Sequence, residues 1–292
     1  MKRYGLLITC LSLRAVHIEV LRDMSADSFM NAFRCLIAVR GAVRSIYCDQ
    51  GTNFIGAKNE LDRNLQGKLT ELGCEFHFNP PTASHFGGVW ERLIRTVRAV
   101  LEGLVPSSKG QLDEGSLRTF FYEAAAIINS RPLTVENLER VDGPLPLSPN
   151  HLLTGKGSLI APPPGTFPRE DLYLKKQWRR VQHLAEVLWG RWRREYLSSL
   201  QKRQVWQNKE PNISSGDIVI LQDEGSRRCH WQLARVTEVM PSGDGLVRSV
   251  KLLLATSQLD EKGKPRSKRT FLVRPIHKMV VLIKSGSVGA AV

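Results

Sequence analysis

Two carboxylates stand where metal chemistry is possible. Asp49 follows the apolar run Val43 to Cys48 and opens onto the polar turn Gln50-Gly51-Thr52-Asn53, and Glu91 lies 42 positions later in a segment with helical periodicity. An Asp at a strand end and a Glu on a helix supply hard oxygen donors of the kind Mg2+ takes while keeping part of its water, with a substrate phosphate completing the shell. Arg95 is one helical turn beyond Glu91 and Arg98 two, so cations line the same face, an arrangement suited to a phosphate backbone beside a metal. Taken by themselves, an Asp in a turn and a Glu on a helix are also common surface residues, and without further resemblance that plainer reading is favoured.

The hydrophobic patterning predicts the elements that carry these groups. Tyr4 to Leu13 and Ala15 to Leu21 read as adjacent strands, the second alternating Val16, Ile18, Val20 against His17 and Glu19. A helix starts at Ser25, places Phe29, Phe33, Leu36 and Ile37 on one face, and ends at Gly41. Val43 to Cys48 is a short buried strand, Ala57 to Leu72 a helix ended by Gly73, and Cys74 to Phe78 a strand stopped by Asn79-Pro80-Pro81. After Ser84 comes a long helix with the stripe Val89, Leu93, Val97, Val100 and Leu104. A further helix over Asp113 to Asn129 turns Leu117, Phe121, Ala124, Ala125 and Ile128 inward before Arg131-Pro132 closes it. These make an α/β domain over residues 1–155.

Pro162-Pro163-Pro164-Gly165 marks a stiff linker, and Trp178 to Trp206 follows as an amphipathic, basic helical stretch with four of the six tryptophans. From Ile213 the texture changes to short β runs, Asp217 to Leu221, Trp231 to Val239, Leu246 to Leu254 and Phe271 to Ile283, with a hairpin signal at Gly243-Asp244-Gly245. Their spacing predicts a small barrel.

Composition narrows the partners. The 292 residues carry 42 Lys plus Arg against 28 Asp plus Glu, a formal charge of +14. Residues 1–150 hold 17 basic and 16 acidic side chains, whereas residues 151–292 hold 25 and 12, so the second half carries the field. A long anionic polymer is the partner such a field attracts. Five widely spaced cysteines with no Cys-x-x-Cys indicate neither a disulfide framework nor a zinc ribbon, and no His pair has zinc-finger spacing. The apolar runs are far shorter than the roughly 20 residues of a membrane span, and no secretory signal is readable. Neither a P-loop nor a GxGxxG is present to support an unrelated nucleotide enzyme.

Several segments carry a resemblance. Tyr47-Cys48-Asp49-Gln50-Gly51-Thr52-Asn53-Phe54, Phe78-Asn79-Pro80-Pro81-Thr82-Ala83-Ser84-His85, Gly87-Gly88-Val89-Trp90-Glu91-Arg92, Ile128-Asn129-Ser130-Arg131-Pro132-Leu133 and Arg14-Ala15-Val16-His17-Ile18-Glu19 resemble the integrase of BEL/Pao-type LTR retrotransposons. Ser148-Pro149-Asn150-His151-Leu152-Leu153 resembles the end of its core region. Trp231-Gln232-Leu233-Ala234-Arg235-Val236 with Asp244-Gly245-Leu246-Val247-Arg248 resembles its C-terminal barrel, similar to SH3 or chromo modules.

The resemblance implies an RNase H-like core in which three acidic residues hold two Mg2+ ions. The metals activate a water that trims the element's DNA end, then drive the freed 3′ hydroxyl onto target DNA by in-line phosphoryl transfer. Asp49 is then the second acid and Glu91 the third. The family's first acid lies on a strand just before the segment that begins at Tyr4, so the resemblance implies an incomplete core, weak Mg2+ binding and impaired strand transfer. It also implies two inner strand edges left unpaired. Asp23 and Asp27, after the second strand and at the first helix entrance, are poorly placed to substitute. The expected domains are an RNase H-like core over 1–155, a basic Trp-rich connector over 156–210, an SH3-like DNA-binding barrel over 211–285 and a tail over 286–292. Element ends and target DNA are the implied partners, with a homo-oligomer, no membrane and a nuclear location. The alternative is a non-enzymatic nucleic-acid- or chromatin-binding remnant.

Among other positions, Asn53, Ser84 and His85 are candidates for DNA contact or, equally, for turn and helix capping. His17 reads as structural. Trp178, Trp189, Trp192 and Trp206 read as core or interface residues before base-stacking ones, whereas Arg179, Arg180, Arg191, Arg193 and Arg194 are the better nucleic-acid candidates. Lys262 to Arg269 reads as a nuclear-import signal or a phosphate-contacting loop.

Overall fold

The computed structural model describes residues 3–64, 74–80, 88–102, 112–133, 147–156, 163–173, 176–200, 213–223, 226–243, 246–255 and 270–285. The chain divides into two compact units, one of residues 1–129 and 164–188, the other of residues 130–163 and 189–292. The chain is a mixed α/β protein.

In the first unit, β1 (Tyr4–Thr9) and β2 (Val16–Leu21) pair antiparallel from Tyr4↔Leu21 to Thr9↔Val16. The first strand is shorter than its apolar run predicts. Cys10 N–H donates to Ala15 O and Arg14 N–H to Cys10 O, both at 2.8 Å, so the chain turns there instead of extending to Leu13. Ser25 caps α1 (Ala26–Arg40) by accepting from Ser28 N–H, and Gly41, at φ 87°, closes it with an N–H bond to Ile37 O. Asp23 accepts bonds from the Ser25 and Ser28 hydroxyls and the Ser25 amide, which hold its carboxyl near about 2 and fix it at the helix entrance.

β3 (Ser45–Cys48) and β4 (Glu75–Phe78) form a separate parallel pair, Ser45↔Glu75 through Cys48↔Phe78. Among the described residues no ladder joins this pair to β1–β2. Both pairs nevertheless contribute to one hydrophobic cluster. Leu6 and Leu21 from one pair and Ile46 and Phe76 from the other pack with Phe29, Phe33 and Leu36 of α1 and Ala57 of α2 (Thr52–Asn64). The helix expected from Ala57 thus begins five residues earlier. The Gly51 carbonyl accepts from Phe54 and Ile55 N–H, so the polar Gln50–Asn53 run starts the helix and does not merely precede it.

The helix α3 (Gly88–Glu102) packs on β1 with Leu93 and Val97 buried. α4 (Glu114–Ile128) packs on β2, capped by Asp113. Phe120 and Ile127 of α4 are buried as well as the predicted Phe121, Ala124, Ala125 and Ile128, while Leu117 is only half-buried. The broader buried face follows from a second neighbour. The start of α6 (Gln177–Leu200) also meets α4, with Ser116 Oγ donating to Gln177 at 2.8 Å and Gln182 to Glu123 at 3.0 Å.

In the second unit, a short α5 (Pro149–Thr154) carries a capping box between Ser148 and His151. β5 (Ile218–Leu221), β6 (Leu233–Pro241), β7 (Val247–Leu254), β8 (Phe271–Pro275) and β9 (Met279–Ile283) form one antiparallel sheet in the order β8-β7-β6-β5-β9. The last predicted β run is split by a 3-10 turn at Ile276–Lys278, and its second half returns to β5. The predicted closed barrel is not formed among the described residues, because β8 and β9 are opposite edges of the sheet. Helix α6 supplies the missing cover. Leu197 packs on Ile220, Leu233 and Val280, while Val219, Leu221, Val236, Val250 and Leu252 fill the other face. Asp217, 1% exposed, pins the sheet's start to its end: its carboxylate accepts from Ser214 N–H at 2.9 Å, Ser285 N–H at 2.7 Å and the Ser285 hydroxyl at 3.0 Å.

Candidate active site

Asp49 is the first residue past β3, and the chain leaves the parallel pair there. Asn79 N–H donates to Cys48 O at 2.8 Å and Gln50 Nε2 to Asn79 O at 3.2 Å, so the carboxyl ends of β3 and β4 are tied together. The Asp49 carboxylate is exposed, and its Oδ1 accepts from Gly51 N–H at 3.2 Å. Gly51 is closely approached: a Cβ there would lie 2.7 Å from Asn53 Oδ1 and 3.2 Å from both Asp49 Oδ1 and Phe54, so the Asn53 side chain would have to shift. Asn53 is buried, 3% exposed, beneath this turn. The neighbouring Cys48 thiol is pushed up to about 11, by burial first and then by the Asp49 charge.

Glu91 is in the first turn of α3, where the helix dipole favours an anion, and its carboxylate is exposed. Arg95 and Arg98 are exposed on the same helix, while Leu93 and Val97 face the interior. Asp49 directly follows the carboxyl end of β3, and Glu91 is on the helix that comes next in the chain after β4. Their oxygen donors fit Mg2+ by chemistry. Among the described residues no three His, Cys, Asp or Glu side chains come together as a ligand set. Ser84 and His85 lie outside the described residues, as do Trp206 and Lys262 to Arg269.

Residues 176–282, from the start of α6 into β9, match a family of unknown function (DUF5641). No curated protein matches the chain. Among solved structures, the chain is similar to one in the cryo-EM structure of the simian T-cell lymphotropic virus intasome in complex with PP2A regulatory subunit B56 gamma. That alignment covers 96% of this chain and 72% of the other, at 12% identity and a TM-score of 0.38.

The connector arginines have unequal freedom. Arg179 Nε donates to Asp171 at 2.8 Å and Nη2 to Thr166 O at 3.1 Å, and its guanidinium lies over the Phe167 and Trp178 rings. Arg193 donates from Nη1 to Asp223 O at 2.7 Å and from Nη2 to Leu221 O at 2.8 Å, closing the end of β5. Arg191 pairs with Glu195 at 2.8 Å, and Arg180 is half-buried. Arg194 is exposed, its Nε donating to Gly190 O of the same helix at 3.1 Å. The tryptophans divide likewise. Trp189 and Trp192 are buried, Trp189 meeting Trp231 edge-on at 4.9 Å, and Trp178 is half-exposed.

Three polar arrangements escaped the sequence reading. Asn129, 1% exposed, donates to Val16 O at 2.8 Å and accepts from Val16 N–H at 2.7 Å, so one side chain completes the backbone pairing at the start of β2. Ser130 and Pro132 are held in the second unit, by Trp231 Nε1 at 3.1 Å and the Tyr196 hydroxyl at 3.1 Å. The buried pair His17 and Glu19 is 3.1 Å apart, and the Tyr122 hydroxyl donates to Glu19 at 2.9 Å. Burial, aided by Arg40, holds the His17 imidazole below its ordinary value against the pull of Glu19. The one available signal was local: an Asn that ends an apolar helix immediately before Ser-Arg-Pro is a capping position with no solvent-facing neighbour.

Proposed function

We propose that the chain is an integrase-type polypeptide of the BEL/Pao class, with an RNase H-like core followed by a basic connector and an SH3-like sheet that contacts DNA. The observation that carries this reading is the divided sheet. Among the described residues, the antiparallel pair β1–β2 and the parallel pair β3–β4 pack on one core without pairing to each other. An RNase H-like sheet without its central, Asp-bearing strand has this pattern, and β1 and β3 then flank that strand's position. The five-strand meander whose last strand returns beside its first supports the SH3-like reading of the second unit.

In this reading Asp49 and Glu91 would hold Mg2+, which supplies charge neutralisation and activation of the attacking oxygen. Arg95 and Arg98 hold the adjoining phosphates by charge. Gly51 lets the turn close so that Asp49 leaves the strand end facing outward. Arg194 adds an exposed cation in the connector, whereas Arg179 and Arg193 position backbone, and Asn53 shapes the turn beneath Asp49. DNA ends and target DNA are the proposed partners, in the nucleus and by a multimer. The second reading is a DNA-binding remnant in which both acids are idle.

The test is joining of a labelled LTR-end oligonucleotide to plasmid with Mg2+, with Asp49→Asn and Glu91→Gln as controls. Residual joining abolished by either substitution supports the enzyme. No joining, with salt-sensitive DNA binding that neither substitution alters, supports the remnant.

A further inference from the structure

The outward face of the β3–β4 pair carries two aromatic rings that the core does not use. Tyr47 and His77 are direct register partners, and their rings stack with centroids 4.6 Å apart and planes 18° from parallel. Ile46 and Phe76, one residue before each, face the opposite way into the core cluster. Tyr47 is 47% exposed and the His77 side chain 42%. The two rings are stacked face to face across the strand pair, and each keeps part of its surface in water.

Asp49 follows Tyr47 by two residues at the end of β3, so the two Cα atoms are at most about 7 Å apart along the chain. That spacing spans from a nucleotide's phosphate to its base. Glu75, two residues before His77 on β4, shares its face, with Oε2 3.5 Å from His77 Nε2 and the side chain largely exposed. A carboxylate beside a stacked base accepts from an exocyclic amino group, as Asp and Glu do from cytosine N4.

We propose that Tyr47 and His77 form a stacking platform for one unpaired, amino-bearing nucleobase of the strand whose phosphate is engaged at Asp49. The inference rests on the reading of Asp49 as a phosphate-and-metal site and deepens it by naming a strand conformation: the nucleotide is splayed out of the duplex, as at a frayed end. Stacking on aromatic rings tolerates different bases, and Glu75 turns that tolerance into a bias against thymine.

The test uses the full chain and a duplex with a short single-stranded overhang carrying 2-aminopurine, whose fluorescence falls on stacking. Binding is expected to quench the probe. Tyr47→Ala and His77→Ala should each remove the quenching and weaken binding by about five-fold or more, while Tyr47→Phe retains both. Glu75→Gln should reduce the preference for a cytosine over a thymine overhang. Both rings are on the surface, and circular dichroism of each variant confirms that the fold is kept. Quenching unchanged in Tyr47→Ala and His77→Ala, or no quenching by the unaltered chain, overturns the proposal. Titration with and without Mg2+ separates the two ideas: metal-independent binding that still loses quenching in the ring variants removes the metal reading and leaves the platform standing.

Discussion

Replacing Asn129 by Ala should loosen the start of β2 by a measurable amount. The side chain is 1% exposed, and both of its polar ends are bonded to Val16, whose own exposure is 1%. Truncation leaves one buried N–H and one buried C=O without partners, where water cannot reach them without opening the structure. Each such group costs roughly 1–3 kcal/mol, so the loss is about 2–5 kcal/mol after partial relaxation. Native-state hydrogen exchange reads it locally: the Val16 amide should exchange about 30-fold faster or more, at roughly 1.4 kcal/mol per tenfold. Urea unfolding followed by the far-ultraviolet signal should show the midpoint of the first unit falling. A Val16 amide as protected as in the unaltered chain, with no midpoint shift, would refute the bidentate pairing.

Asp217→Asn should lower the stability of the second unit by about 2–4 kcal/mol in thermal or urea unfolding, since an amide NH2 would face amide donors that the carboxylate now satisfies. Acidification should destabilise the first unit through His17. Its folded pKa is lowered, so below the ordinary value near 6.5 the unfolded chain binds a proton that the folded chain resists, and stability falls as pH drops. His17→Gln should flatten that slope, and unfolding midpoints between pH 7 and pH 5 check it. Arg194→Ala should weaken DNA binding and reduce the salt dependence by about one ion, whereas Arg193→Met should lower the melting temperature, because Arg193 bonds two backbone carbonyls.

The α/β order of the first unit was legible because its strands and caps carry strong local signals: alternation at Val16 to Val20, Ser25 and Gly41 around α1, and prolines after Phe78. The start of α2 was not, because Gln50–Asn53 is polar and turn-like in isolation, and only the Gly51 carbonyl bonds reveal it as a helix entrance. The short β runs of the second unit were readable, yet closure was not. Whether β8 meets β9 depends on long-range packing, and α6 buries the face that includes Ile220 and Leu233. Asp49, Glu91, Arg95 and Arg98 stood out from type and spacing, and all four are exposed in the structure. The internal partner of Arg179 was missed because Asp171 is in a 3-10 turn outside the helix, and those of Arg193 were invisible, since the Leu221 and Asp223 carbonyls are distant in sequence. Tyr47 and His77 were hidden for the same reason, their contact arising only from the parallel register of β3 and β4.

Site-directed backbone cleavage tests the pairing of Asp49 with Glu91 most directly. With Fe2+ in place of Mg2+ on the DNA-bound chain, ascorbate and peroxide cut the polypeptide close to the ion, and mass spectrometry maps the cuts. Cuts at both the turn after β3 and the first turn of α3, lost together in Asp49→Asn and in Glu91→Gln, are the predicted result. Cuts confined to one of the two segments, or unchanged by either substitution, would contradict a shared ion.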